Sequence, residues 1–482
     1  MGHFDNKQLL LAELRQRVRE FYLADESTVV RSLMVNAGIT EADRLEMTRR
    51  AVELVRQVRN DTEPTMMESF LAEYGLSTRE GVALMCLAEA LLRVPDETTI
   101  DALIEDKVVS GNWGEHLGES TSLLVNVSTW ALLITGKVIS PVDEEGITET
   151  LHAMVKRLGE PIVRTAISQA MKELGRRFVL GRTIQEATER AEEQESRGYR
   201  YSYDMLGEAA RTDADAKRYH AAYSAAISHL AGICQSDNIR LNPGISVKLS
   251  ALHPRYEFSQ RSRVMSELVP RIHELALQAK AANMGFNIDA EEAERLDLSL
   301  DVTEAVLATP ELAGWDGFGV VVQAFGQRAS PVLDWLYALA QHLDRRIMVR
   351  LVKGAYWDSE IKRAQVMGLS GFPVFTRKAS SDVSFISCAK KLLEMGDRIY
   401  PQFATHNAHS VAAVLQLAKR DDDFEFQRLH GMGESLHDVV VRDRKARCRI
   451  YAPVGDHKDL LAYLVRRLLE NGAHSSFVNQ VV

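Results

Sequence analysis

The spacing of apolar residues changes character once along this chain, near residue 195. Before that point it is helical. Leu9, Leu10, Leu14, Val18 and Phe21 recur mainly at three- and four-residue steps, as do Val52, Leu54, Val55 and Val58. Such steps line apolar side chains along one face of a helix. Only four of the twelve prolines (Pro64, Pro95, Pro141 and Pro161) precede residue 195, and strand-like alternation is scarce there. The pattern predicts an all-helical N-terminal region over residues 1–195. Its end, the charged run Gln185–Arg197, reads as a solvated helix face or a linker.

From residue 196 the rhythm alters. Short β-branched runs recur between stretches of helical pattern: Tyr199–Leu206, Ile245–Ala251, Phe286–Ala290, Phe318–Ala324, Arg346–Val352, Pro401–Thr405, Glu425–Leu429 and Cys448–Pro453. Strand followed by helix, eight times over, predicts an α/β fold in which 196–482 form one (β/α)8 barrel. A doubly wound sheet is the structural rival. In a barrel, chemistry sits where strands give way to loops. The polar residues placed there are Lys248, Asp289, Gln323, Arg350 with Lys353, Thr405-His406-Asn407, Gln427 and Tyr451. Polar groups inside apolar strands are costly unless paired, so as a set they point to a site.

Composition narrows the function. The charge of −9, with no basic block, disfavours a nucleic-acid partner. Cys86, Cys234, Cys388 and Cys448 lie far apart without a CxxC, which fits a reducing compartment rather than a disulfide framework. The start MGHFDNKQLL lacks a signal-peptide pattern, and the apolar stretch Leu123–Ile134 is too short to span a bilayer. Attachment to a membrane surface stays open.

Two constellations stand out. In His457–Asn471, Tyr463, Arg466, Arg467 and Glu470 form a polar stripe opposite Leu461, Leu464, Val465 and Leu468. Adjacent arginines present two guanidinium forks suited to a carboxylate or phosphate. From spacing alone, a solvated face with Arg–Glu pairs is the stronger reading. Arg350–Trp357 (RLVKGAYW) sets two cations and a glycine at a strand end, where Gly354 permits close backbone approach to a ligand. No GxGxxG or GxxxxGK[ST] follows a strand, which disfavours a Rossmann or P-loop site. A metal centre from His406, His409, His430 and Asp289 is the competing idea, weakened by the surrounding lysine and arginines.

Longer motifs carry a family resemblance. SVKLSALHPRY (246–256), NIDAE (287–291), VRLVKGAYWDSEIKRAQ (349–365), PQFATHNAH (401–409), QRLHGMGE (427–434), RIYAPVG (449–455) and LVRRLLENGAHSSFVN (464–479) follow one another along the chain. Together they resemble the proline dehydrogenase domain of bifunctional proline utilization A proteins, and the helical region resembles that family's arm and α-domain. The resemblance implies a distorted TIM-like barrel that binds FAD and oxidises L-proline to Δ1-pyrroline-5-carboxylate. It implies that electrons pass to a membrane quinone from a cytoplasmic, peripherally attached protein, and that no metal is used. Arg466, Arg467 and Lys248 look like the carboxylate clamp, which reverses the reading of the arginine pair drawn from spacing. Tyr451, Tyr356 and Leu429 look like walls on the pyrrolidine ring, and Asp289 like the partner that orients Lys248. Gln323, Arg350, Val352, Lys353, Gly354, Ala355, Trp357, Thr376, Arg377, Lys378, Thr405, His406, Asn407, Gln427 and Glu470 look like the FAD shell. Glu470 is also placed to pair with Arg466 as a gate. The family continues into an aldehyde dehydrogenase domain beyond Asn479, so a fragment is expected. Family members with a DNA-binding role start with a ribbon-helix-helix that this sequence does not display, and no repression of transcription is expected.

Overall fold

The computed structural model describes residues 2–60, 179–420 and 423–455. The helix expected over His457–Asn471 lies outside the described residues, as do the stretch Leu123–Ile134 and the site candidates Arg466, Arg467 and Glu470. Residues 2–58 and 180–455 form one compact unit.

Eight parallel strands close into a barrel in chain order. They are β1 (Arg200–Met205), β2 (Gly244–Val247), β3 (Gly285–Ile288), β4 (Phe318–Gln323), β5 (Ile347–Val352), β6 (Ile399–Ala404), β7 (Glu425–Leu429) and β8 (Cys448–Val454). Closure comes from β1 pairing with β8, where Ser202 lies opposite Tyr451. The doubly wound alternative is excluded by this closure.

One expected run extends too far. Ile245–Ala251 stops being a strand at Val247, and Leu249–Leu252 form a short helix. The reason is local: the Ser250 carbonyl accepts from Ala210 N at 2.8 Å, and its N–H donates to Glu291 Oε1 at 3.0 Å. With those groups committed, the chain turns out of the sheet. Lys248 therefore sits at the helix cap rather than within the strand. The charged run near 195 is a helix, Ile184–Ser196, entered through a Thr183 cap on Glu186 N.

The N-terminal region begins with three helices, α1 (Gly2–Glu20), α2 (Glu26–Ala37) and α3 (Glu41–Arg59). The buried Arg15 of α1 donates to Asp301 Oδ1 at 2.8 Å and lies 5.1 Å from the Trp335 ring on the barrel's outer helices. On α2, Val29 and Leu33 pack on Phe375.

The barrel interior is polar as well as apolar. Asn287 donates to Gln402 at 3.1 Å, and Gln402, Gln427 and Arg449 all donate to Glu425 Oε1, at 2.9, 2.9 and 2.8 Å. Arg449 also donates to the carbonyls of Tyr201, Asn242 and Arg240. Every one of these side chains is buried. Removing one partner of such a pair leaves the other charge uncompensated. Arg449→Met is accordingly expected to lower unfolding free energy by about 3–5 kcal/mol in urea titrations. A loss near zero would mean Arg449 is not holding this layer.

Candidate functional site

The carboxyl ends of the strands bring two cations and two carboxylates together. Lys248, released from β2 by the short helix, donates to Asp204 Oδ2 at 2.6 Å and to the Tyr451 hydroxyl at 3.2 Å. Asp289 Oδ2, just past β3, lies 3.3 Å from the same ammonium. Tyr451 on β8 donates to Asp289 Oδ2 at 2.7 Å. Arg350 on β5 closes the ring, donating to Asp289 Oδ1 at 3.0 Å and to Ser246 Oγ at 2.9 Å, with its guanidinium 5.2 Å from the Tyr451 ring centroid.

Burial sets the electrostatics. It works against the Lys248 ammonium, but Asp204, Tyr451 and Asp289 outweigh it and hold the pKa well above the usual value. Lys248 is therefore a fixed cation. The wholly buried Asp204 carboxyl is pushed up, by burial first and by Asp289 as well, against the pull of Lys248. Its Oδ1 has no hydrogen-bond partner. Burial also pushes the Tyr451 hydroxyl well up, so it stays a neutral donor.

A second set of expected residues surrounds this cluster. Gln323, at the end of β4, donates to the Glu291 carbonyl at 2.9 Å. Asp289, Gln323, Phe325 and Arg328 are among the residues lining a partly open pocket. Val352 ends β5, and Lys353, whose pKa is lowered by burial, pairs with Asp382. Gly354 has φ +130°, and a Cβ there would meet the Phe325 ring at 2.5 Å, so no other residue fits without displacing it. Ala355 N lies 3.5 Å from Gln323 Oε1. Tyr356 caps the helix Trp357–Val366, and Trp357 Nε1 donates to the Phe375 carbonyl at 2.8 Å. Thr376, Arg377 and Lys378 lie exposed where the helix Lys378–Glu394 begins.

On the neighbouring strand β6, which pairs with β5, Thr405 follows the strand end and its carbonyl is bonded to His437 Nε2 at 2.9 Å. His406 Nε2 accepts from Leu429 N at 3.0 Å. Asn407 caps the helix Ala408–Leu417 through Ser410 N. Leu429 pairs with Tyr451 in register, and Gln427 Oε1 is buried without a hydrogen-bond partner. Because the His406 Nε2 lone pair already serves Leu429, that nitrogen is committed within the protein. Among the described residues no group of three or more His, Cys, Asp or Glu is placed to hold a metal.

Lys248, Asp289, Arg350 and Tyr451 are thus brought together as one cluster. Asp204 is the residue that sequence reasoning missed, and it lies closer to Lys248 than Asp289 does. Its signal was present. Ser202 and Asp204 alternate with Tyr201 and Tyr203 along β1, the period-two pattern that turns one polar set to the barrel interior.

Fold and cluster define a (β/α)8-barrel protein with a charged site at the carboxyl ends of its strands. The chain belongs to the proline dehydrogenase family, whose model, described as proline dehydrogenase, matches residues 187–480. Residues 12–59 match the proline utilization A proline dehydrogenase N-terminal domain, and residues 66–178 a model described as the DNA-binding domain of proline dehydrogenase. The bifunctional protein PutA of Klebsiella aerogenes is 52% identical over 95% of this chain, and that of Escherichia coli strain K12 is 50% identical over 97%. The chain spans 36% of the length of each. A crystal structure of a Bradyrhizobium japonicum proline utilization A variant is 52% identical with a TM-score of 0.73, covering 95% of this chain and 46% of that one.

Replacing Lys248 with Met leaves the buried Asp204 beside Asp289 without a cation, while Asp289 keeps Arg350. The expected loss of stability is about 3–5 kcal/mol at neutral pH. One carboxylate must then hold a proton, which raises its folded pKa above the unfolded value. Stability gained from that proton is present below the ordinary carboxylate pKa and is lost as pH rises. The deficit should therefore shrink toward about pH 4. A deficit constant from neutral to acid pH, followed by thermal melts, would show that the carboxylates do not interact.

Proposed function

We propose that the chain oxidises L-proline to Δ1-pyrroline-5-carboxylate by hydride transfer to N5 of bound FAD, the first step of proline catabolism to glutamate. Electrons then pass to a membrane quinone, from a cytoplasmic protein attached peripherally to the membrane surface. The observation that carries this reading is the convergence of the Lys248 ammonium, the Arg350 guanidinium and the Tyr451 ring in a family of proline dehydrogenases. The division at residue 195 into a helical arm with α-domain and a barrel belongs to the same proposal, as does an aldehyde dehydrogenase domain in the full-length protein.

The residues present fit a flavin. The Nε of Arg350 and Oε1 of Gln427 are buried without hydrogen-bond partners, one a donor and one an acceptor. A flavin ring carries both acceptor atoms and a donor N–H, so it can answer both. Gln323, Arg350, Val352, Lys353, Gly354, Ala355 and Trp357 would hold it from the ends of β4 and β5. Thr405, His406, Asn407 and Gln427 would hold it from the adjacent β6 and β7, with Thr376, Arg377, Lys378 and Glu470 completing the shell. FAD, when bound, supplies the hydride acceptor.

The protein's own work is positioning and electrostatics. Lys248, with Arg466 and Arg467, grips the carboxylate of proline. Lys248 has two N–H groups committed to Asp204 and Tyr451, and the third lies near Asp289 at the longest of the three distances, 3.3 Å. That third donor is the one a substrate carboxylate takes over. The rings of Tyr451 and Tyr356 and the side chain of Leu429 exclude water from the pyrrolidine. Asp289 orients Lys248, and Arg350 stabilises negative charge that develops beside it. The proline amine gives up its proton to solvent before transfer.

The test is proline-dependent reduction of an artificial electron acceptor by FAD-loaded protein. Activity is expected in the parent, and its absence overturns the proposal. Arg467→Met removes a charged clamp worth about 2–4 kcal/mol, so the KM for proline should rise by roughly 30-fold or more. The match of residues 66–178 to a DNA-binding domain model raises a nucleic-acid reading, but that segment carries more Asp and Glu than Lys and Arg. No nucleic-acid partner is proposed, and a gel-shift assay with duplex DNA is expected to show no retardation.

A further inference from the structure

The segment Gly371–Arg377 forms a strap across several residues assigned above to the flavin shell. Phe375 N donates to the Phe325 carbonyl at 2.7 Å, and Gln327 N to the Pro373 carbonyl at 3.2 Å. The Phe375 carbonyl holds Trp357 Nε1 at 2.8 Å. Phe325 in turn donates to the Lys353 carbonyl at 2.7 Å, and its ring backs Gly354. The position of the strap thus sets the positions of Trp357, Lys353 and Gly354.

One end of this strap is fixed by the N-terminal region. Glu26, in the first turn of α2, accepts from both the N–H and the hydroxyl of Thr376 at 2.8 Å. Its other oxygen accepts from Ser380 Oγ at 2.6 Å, inside the first turn of the helix Lys378–Glu394. That helix has no side-chain cap of its own from Arg377. A carboxylate 350 residues away in sequence instead ties Thr376, just ahead of the helix, to Ser380 inside its first turn. Glu26 stands at the N-terminal end of two helices at once, where both dipoles favour its charge. The contact is reinforced beneath. Phe375 packs with Val29 and Leu33.

We propose that Glu26 is a positioning residue for the flavin site, which makes the N-terminal arm part of the cofactor-binding machinery. The inference rests on the flavin reading given above. Glu26 need not touch the cofactor. It acts through Thr376, which it anchors, and through the strap that carries Trp357 and Phe325. Without it, Thr376 loses two hydrogen bonds that tie it to the arm, and the shell residues behind the strap are no longer pre-set for binding.

The experiment compares FAD dissociation constants of the apoprotein for the parent, Glu26→Ala, Glu26→Gln and Lys390→Ala, read by quenching of flavin fluorescence. Lys390 donates to the Ala37 carbonyl at the far end of α2, so its loss loosens the docked arm without touching the strap. Glu26→Ala is expected to weaken FAD binding by about tenfold, the equivalent of one charge-assisted hydrogen bond. Glu26→Gln, which keeps an acceptor oxygen, should lie between Ala and the parent. Lys390→Ala should stay within about twofold of the parent. The KM for proline of FAD-saturated Glu26→Ala should also stay within about twofold, because Lys248 and Tyr451 lie apart from the strap. Equal FAD affinity in parent and Glu26→Ala overturns the inference, as does an equal weakening by Lys390→Ala. A parent that binds no FAD overturns the flavin reading itself, a result distinct from either.

Discussion

A buried ammonium held between two carboxylates is the constraint on which this barrel's interior depends. Lys248 lies where β2 ends, 2.6 Å from Asp204 and 3.3 Å from Asp289. Taken out of water, each of these charges would be prohibitive alone. Together they are tolerable only in one geometry, because Tyr451 and Arg350 must also reach Asp289. The cluster thereby ties β1, β2, β5 and β8 and the turn after β3 at a single point. Those are the elements that a closed barrel must register correctly.

The same logic operates lower in the barrel. Glu425 collects Gln402, Gln427 and Arg449, and Arg449 spans to three backbone carbonyls near β1 and β2. Two polar layers replace part of the branched aliphatic filling usual in such barrels. A polar layer specifies partners individually, whereas an aliphatic layer tolerates many. This specificity is useful to a site that must keep a cation, a phenol and a guanidinium within a few ångströms.

The arm adds a further constraint from outside. Arg15 buries its guanidinium against Trp335 and Asp301, while Glu26 holds Ser380 in the first turn of a barrel helix. These contacts bind helices from the first 40 residues to the barrel helices that follow β3, β4 and β5. The strap between them, Gly371–Arg377, is held by both. A loop with polar and exposed residues such as Thr376 and Arg377 would otherwise have little to fix it.

How much was legible in the sequence differs by residue, for physical reasons. The β-branched runs located all eight strands, since alternation and burial leave a local pattern. Lys248, Asp289, Arg350 and Tyr451 were visible because each interrupts or ends such a run. Asp204 was readable only through the alternation with Tyr201 and Tyr203, a weaker signal in a strand with two polar residues. Glu26 had none, since its partners Thr376 and Ser380 lie some 350 positions away and a carboxylate opening a helix is commonplace. The extent of β2 was misjudged for a similar reason, because Ser250 is claimed by Ala210 and Glu291 from other segments. The sequence alone determined the order of elements, the barrel, the family and the cationic residues, all of which rest on local periodicity or contiguous motifs. Which carboxylate Lys248 holds most closely, and which glutamate anchors the strap, only the tertiary structure decided. Hydrogen bonds form between groups that the fold brings within 3 Å or so, and distance along the chain carries no record of that.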